Sequence, residues 1–147
     1  MICVVQRVTS SQVVVESKTV GVIADGLNLL LGVVKGDTSN DANKIINKLV
    51  DLRIFNDEQG KMNLSVKDIK GSALVISQFT LAGSVNKGRR PSFDLAEEPT
   101  KANNLYEFFC TELAKHIPVE KGIFAADMQV EIHNDGPVTF ILDSTQL

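Results

Sequence analysis

The chain has 147 residues, 44% hydrophobic and 22% charged, with a net charge of −3. That length and balance suit one globular domain and exclude a wholly disordered or collagen-like chain. The charge argues on its face against a polyanionic partner.

The charge is nonetheless uneven. Residues 1–91 hold 12 Lys/Arg against 8 Asp/Glu, and residues 92–147 hold 3 against 10. The basic excess leaves a nucleic-acid partner open, while the acidic second part reads as a solvated face. No apolar run approaches the roughly 20 residues a membrane span needs. Met1–Val8 carries Arg7 after its apolar stretch, the wrong order for a secretory signal. Two cysteines, Cys3 and Cys110, make no disulfide framework, so the expected setting is a reducing cytoplasm, with no membrane contact.

Along the chain, Ile2–Val8 and Gln12–Glu16 are rich in Val and Ile and predict two strands. Ser17-Lys18-Thr19 reads as a turn, Val20–Ala24 as a strand, and Asp25-Gly26 as another turn. Leu27–Val34 is a nearly continuous apolar run that predicts a strand buried on both faces, with Gly32 marking a close backbone approach or a bulge. Thr38, Ser39 and Asn40 offer helix caps. Asp41–Arg53 then carries an apolar stripe of Ile45, Ile46, Leu49, Val50 and Leu52 that predicts a helix. Ile54-Phe55 reads as a short strand. Asn56–Gly60 reads as a surface turn, because its acids lack the spacing of a calcium loop.

Ala73–Leu81 predicts a strand with polar residues on both faces: Ser77 on one, Gln78 and Thr80 on the other. They either bond neighbouring backbone or line a pocket. Gly83–Pro91 is a loop holding Lys87, Arg89 and Arg90, either a solvated hairpin tip or an anion grip. Lys101–His116 predicts a second helix whose Leu105, Phe108, Phe109 and Leu113 form a core stripe. Lys115 and His116 complement its dipole. Val130–His133 alternates as a strand, Asn134-Asp135-Gly136-Pro137 reads as a tight turn, and Val138–Leu142 closes the chain. The sum is one β-rich α+β domain with two principal helices.

The common catalytic kits do not fit. His133 lies on the outward face of its strand with no G-x-S-x-G elbow. Cys3 and Cys110 sit in apolar segments, the wrong setting for a reactive thiolate. Neither G-x-G-x-x-G after a strand nor a Walker loop nor H-E-x-x-H occurs. What remains is backbone donors, hydroxyls, amides and one basic loop, and no cofactor is expected.

Several segments together carry a family likeness: Val4-Val5-Gln6-Arg7-Val8, Leu30-Leu31-Gly32-Val33, Leu52-Arg53-Ile54-Phe55, Gly60–Leu64, Ser77-Gln78-Phe79-Thr80-Leu81, Lys87–Phe93, Ala126–Val130, and Asn134–Thr139 reading N-x-G-P-V-T. In order and wording the chain resembles the D-aminoacyl-tRNA deacylase family over essentially its whole length, residues 1–147.

The resemblance implies a compact β-barrel-like core of mainly antiparallel strands with two flanking helices. It implies a homodimer with sites at the subunit interface. The implied activity is hydrolysis of the ester joining a D-amino acid, or glycine, to the 3′-terminal adenosine of tRNA, a proofreading and D-amino acid detoxification step. Ser77, Gln78, Phe79 and Thr80 become the catalytic segment. Asn134, Gly136 and Pro137 become a chirality filter, a cis Gly-Pro peptide entering the partner's pocket. Arg7 braces that motif, unless it is an ordinary strand-end cation. Phe124 and Met128 pack the adenine, unless they only fill the core. Lys87, Arg89 and Arg90 contact tRNA phosphates.

For the chemistry, backbone N–H groups near Gln78-Phe79-Thr80 would stabilise the oxyanion while the 2′-OH of the adenosine activates water. The rival makes Thr80 a nucleophile, which needs a base; no suitably placed His or carboxylate is evident. A non-catalytic RNA-binding homologue and a general esterase are the remaining alternatives.

Overall fold

The computed structural model describes all residues, 1–147. β1 is one continuous strand, Ile2–Val15, where the sequence suggests two. The chain reverses at Glu16 and Ser17, both at positive φ (47° and 64°), into β2 (Lys18–Ile23), and then enters β3 (Gly26–Gly32). β3 pairs antiparallel with the first half of β1 and β2 with the second. Thr9-Ser10 therefore does not break β1: a strand bonded along its length needs no local β propensity at every residue.

α1 runs Ser39–Val50. Thr38 is its cap, and its N–H and hydroxyl both donate to the Asp41 carboxylate, at 2.9 and 3.0 Å. A helix of this length is marginal alone. Its burial of Ala42, Ile45, Ile46, Leu49 and Val50 is what holds it. β4 (Phe55–Asn56) and β5 (Met62–Leu64) form a small separate ribbon. β6 (Ser72–Ser77) lies parallel to β3. α2 spans Pro99–Leu113, with Glu98 accepting from the N–H groups of Thr100 and Lys101. His116 falls in the turn beyond that helix, where its main-chain N–H bonds the Leu113 carbonyl.

β7 (Val119–Lys121) is parallel to β6, and β8 (Gln129–Asp143) runs antiparallel to β1 from Val14 back to Ile2. The result is an α+β fold with a nearly closed, barrel-like mixed sheet and two main helices. The near-closure is visible at Gly21 of β2: a Cβ there would lie 2.6 Å from the Lys121 carbonyl oxygen of β7.

Two cores follow from the two faces of this sheet. Cys3, Val5, Leu27, Leu29, Leu31, Ala73 and Val75 face the helices. Val8, Val13, Ile23, Leu74 and Ile76 fill the barrel side. The uninterrupted apolar run of β3 is thus explained: Leu29 and Leu31 face one core, while Leu30 packs against the other. Both cysteines are buried, and burial pushes each thiol up to about 12. No helix is long and apolar enough to cross a membrane.

Two expected elements differ. The strand expected over Ala73–Leu81 ends at Ser77, and Phe79–Ala82 forms a 3-10 turn. Its partner β3 ends at Gly32, so the ladder has nothing more to pair with. The turn folds back over Gly32, whose added Cβ would meet the Leu81 Cβ at 2.8 Å. The tight turn expected at Asn134–Pro137 is a bulge inside β8. Two residue steps of β1, Gln6 to Val8, face five of β8, Thr139 to Asn134. β1 offers pairing on both sides of the motif, so the chain loops out and continues instead of reversing.

Candidate functional site

A cleft of about 520 Å³ opens between the sheet, the start of α2 and the segment that leads from β7 to β8. Ser77, Gln78 and Phe79 lie at one side of it, and Phe124 and Met128 at another. Pro99, Ala102 and Tyr106 of α2 form a third wall.

Each wall has a local cause. Tyr106 is buried with its hydroxyl donating to the Val75 carbonyl at 2.8 Å, and its ring centroid is 6.0 Å from that of Phe124. Burial raises the Tyr106 phenol above its ordinary range, so it stays a neutral donor. Gly122 leaves room for Met128, whose sulfur would lie 2.7 Å from a Cβ at that position. Phe124 and Met128 are both half-buried, so they pack against the cores and also face the cleft.

The change from strand to 3-10 turn decides which groups are presented. The Gln78 N–H is bonded to the Leu31 carbonyl at 2.8 Å. Phe79 and Thr80 begin the turn, and the first N–H groups of any helical turn have no partner inside it. The Gln78 side-chain amide donates to the Thr80 hydroxyl. An amide N–H cannot accept the proton a nucleophilic threonine must lose. Thr80 is itself exposed and is not among the residues lining the cleft.

Two carboxylates on the cleft, Glu97 and Asp127, escaped the sequence reading. Glu97 accepts from Lys101 Nζ at 2.7 Å, the Glu98 N–H at 3.0 Å and the Gly36 N–H at 3.2 Å. The Lys101 contact first, and then the two amides, lower its pKa from 4.5 to about 2. It is a structural anion and a poor base. The only hint in the sequence is its i,i+4 spacing to Lys101.

A second cluster stands apart from the cleft lining. Arg7 is buried. Its Nη1 donates to the Ile54 carbonyl at 2.7 Å, and its Nε donates to the Asp135 carbonyl at 3.2 Å and lies 3.1 Å from the Asp135 carboxylate. Gly136 adopts φ +121°, a conformation that strains any L side chain, and a Cβ there would also crowd Val138 Cγ2 at 2.9 Å and Arg7 Nη2 at 3.1 Å. The Gly136-Pro137 peptide is cis. Asn134, Gly136 and Pro137 are all exposed. Within one chain, then, the structure joins Arg7 to the Gly-Pro motif but brings neither to the cleft. Lys87, Arg89 and Arg90 are exposed on their loop.

The chain that carries this open cleft and exposed Gly-Pro bulge is similar to known proteins over nearly its whole length. The family model described as D-Tyr-tRNA(Tyr) deacylase matches residues 4–143. A D-aminoacyl-tRNA deacylase from Persephonella marina is 66% identical over 147 residues, covering all of both chains. A solved structure of a protein named c-Myc DNA Unwinding Element Binding Protein is 40% identical, with a TM-score of 0.92 over 97% of this chain and 98% of that one. Another, described as a probable eukaryotic D-amino acid tRNA deacylase, is 17% identical and shares the fold at a TM-score of 0.83, over 97% of this chain and 98% of that one. The chain belongs to the D-aminoacyl-tRNA deacylase family.

Proposed function

We propose that this protein hydrolyses the ester joining a D-amino acid, or glycine, to the 3′-terminal adenosine of tRNA in the cytoplasm, releasing both for reuse. The observation that carries the reading is the cleft, in a chain of this family. Its volume of about 520 Å³ suits an aminoacyl-adenosine. Its aromatic and thioether wall at Phe124 and Met128 suits adenine, and the unpaired start of the 3-10 turn suits a developing oxyanion.

In this reading the N–H groups of Phe79 and Thr80 stabilise the tetrahedral intermediate, one such donor being worth ~2.7–4 kcal/mol. Ser77 and Gln78 hold the turn in place, and the 2′-OH of the adenosine activates the attacking water. Thr80 contributes its main-chain N–H and not a nucleophilic hydroxyl, in keeping with that hydroxyl accepting from the Gln78 amide. Gly136-Pro137 comes from a partner subunit and excludes an L side chain with its backbone; glycine has no side chain to exclude. Asn134 and Arg7 hold that motif. Lys87, Arg89 and Arg90 take tRNA phosphates.

A homodimer is supported by β8. It pairs only with β1, and its other edge carries exposed Phe140 and Ile141 beside the Gly-Pro bulge. An unpaired edge with large apolar side chains is a template for a second chain.

A nucleic-acid-binding module without catalysis is the second reading, favoured by the DNA-binding name of the 40% identical protein and by the basic loop. One assay separates the two. Purified protein is incubated with D-Tyr-tRNA, L-Tyr-tRNA and Gly-tRNA, alongside Thr80→Val. Cleavage of the D and glycyl esters with L spared is expected, with Thr80→Val retaining most single-turnover activity. No cleavage of any ester favours the binding module, equal cleavage of D and L removes the chirality filter, and complete loss in a folded Thr80→Val makes Thr80 the nucleophile.

A further inference from the structure

Phe79 and Phe93 form an aromatic pair that faces solvent. Their ring centroids are 5.0 Å apart with planes inclined at 58°. Phe79 is 57% exposed and Phe93 39%. A monomer gains by burying such rings, so an exposed pair marks a surface that something covers.

The local structure holds this pair in place. Ser84 and Ser92 bond each other reciprocally, N–H to carbonyl, at 2.8 Å in both directions, which closes the loop between them. Closure returns Phe93 to the side of Phe79. Gly83 makes room, since a Cβ there would lie 3.0 Å from the Phe93 ring. The closed loop carries Lys87, Arg89 and Arg90 and no acidic residue. Phe79 also lines the cleft. Phe79 therefore joins the cleft to the aromatic pair, and the basic tip lies in the closed loop that ends beside Phe93.

We infer that Phe79 and Phe93 are a stacking platform for the unpaired nucleotide that immediately precedes the terminal adenosine of the bound RNA. Its phosphates run toward Lys87, Arg89 and Arg90. The inference rests on the proposed reading of the cleft as the site of the terminal aminoacyl-adenosine. Charge chooses the occupant: a loop tip of three cations beside two aromatic faces, with the one neighbouring acid, Asp94, held by the Ser92 hydroxyl at 2.7 Å, matches a single strand, which offers phosphates and π faces together. Stacking accepts any base, so the platform grips the common 3′ end of every tRNA without reading its sequence.

The test uses Phe93→Leu, which keeps an apolar side chain and removes the ring, and Phe93→Tyr, which keeps it. Phe79 is left intact because its main chain serves the proposed oxyanion site. Two substrates are compared, D-Tyr-tRNA and 3′-D-tyrosyl-adenosine, the latter lacking every preceding nucleotide. Phe93→Leu is expected to lower kcat/KM on the tRNA about five- to tenfold, the scale of one lost base–aromatic stack. It should leave the adenosine ester unchanged, and Phe93→Tyr should match wild type on both.

Equal losses on both substrates, or none on either, would overturn the platform. So would a loss that follows dissociation of a dimer in sedimentation, which would mean that a second copy covers the rings. Binding of an uncharged, labelled RNA with an unpaired 3′ tail gives a separate readout. If wild type cleaves neither ester, the deacylase reading fails; the platform fails only if wild type and Phe93→Leu bind that RNA equally.

Discussion

Arg7 shows what a single side chain does here. Its guanidinium is buried and ties two distant segments together: the Ile54 carbonyl and Asn56 amide oxygen at β4, and the Asp135 main chain and carboxylate in the β8 bulge. The planar fork makes this possible, and a lysine ammonium cannot copy it. Arg7→Lys is expected to cost about 1.5–3 kcal/mol, the range for hydrogen bonds to a charged group, read as a lower urea midpoint with unchanged slope. Under the proposed function, its D-over-L preference should narrow as well. The link between Arg7 and Gly136 was legible through family likeness alone. Nothing in a lone arginine at position 7 of a strand says which distant residue it will touch. Glu97 had only its i,i+4 spacing to Lys101 to mark it, and in sequence it is otherwise one acid among many on an acidic stretch.

Among elements, the joint between α2 and the loop after β3 is held by that same Glu97. It accepts from Gly36 on one side and from Glu98 and Lys101 on the other. Its pKa falls from 4.5 to about 2 on folding, so the unfolded chain binds the proton more readily. The stability it contributes is complete above pH 4.5 and is lost as pH falls from there toward 2. The Tm difference between wild type and Glu97→Gln, followed by circular dichroism, should be constant above that window and shrink within it. The helices themselves were readable from their apolar stripes, to within a few residues at each end. The end of β6 at Ser77 and the bulge at Asn134–Pro137 were not. Both are decided by where a partner strand stops or continues, and alternation and turn residues carry no record of the partner.

At the scale of the whole molecule, the barrel nearly closes where β2 meets β7 without a hydrogen-bonded ladder between them. Gly21 allows the approach: an added Cβ would be 2.6 Å from the Lys121 carbonyl oxygen and 3.1 Å from the Leu74 side chain. Gly21→Ala should destabilise by about 1–3 kcal/mol, as overpacking does, measured by thermal unfolding. Because β7 leads directly into the segment carrying Phe124 and Met128, KM for the aminoacyl ester should rise with it. By itself the sequence determined the α+β class, the strand buried on both faces, the inert cysteines and the family, since apolar periodicity and motif wording are properties of the chain alone. Packing in three dimensions settled that the Ser77–Thr80 segment turns out of the sheet, that Glu97 is a clamped anion, and that the Gly-Pro bulge stands away from the cleft of its own chain. Each of these depends on which residues distant in sequence supply the hydrogen bonds and the space, and pairing between distant segments is set only when the chain folds.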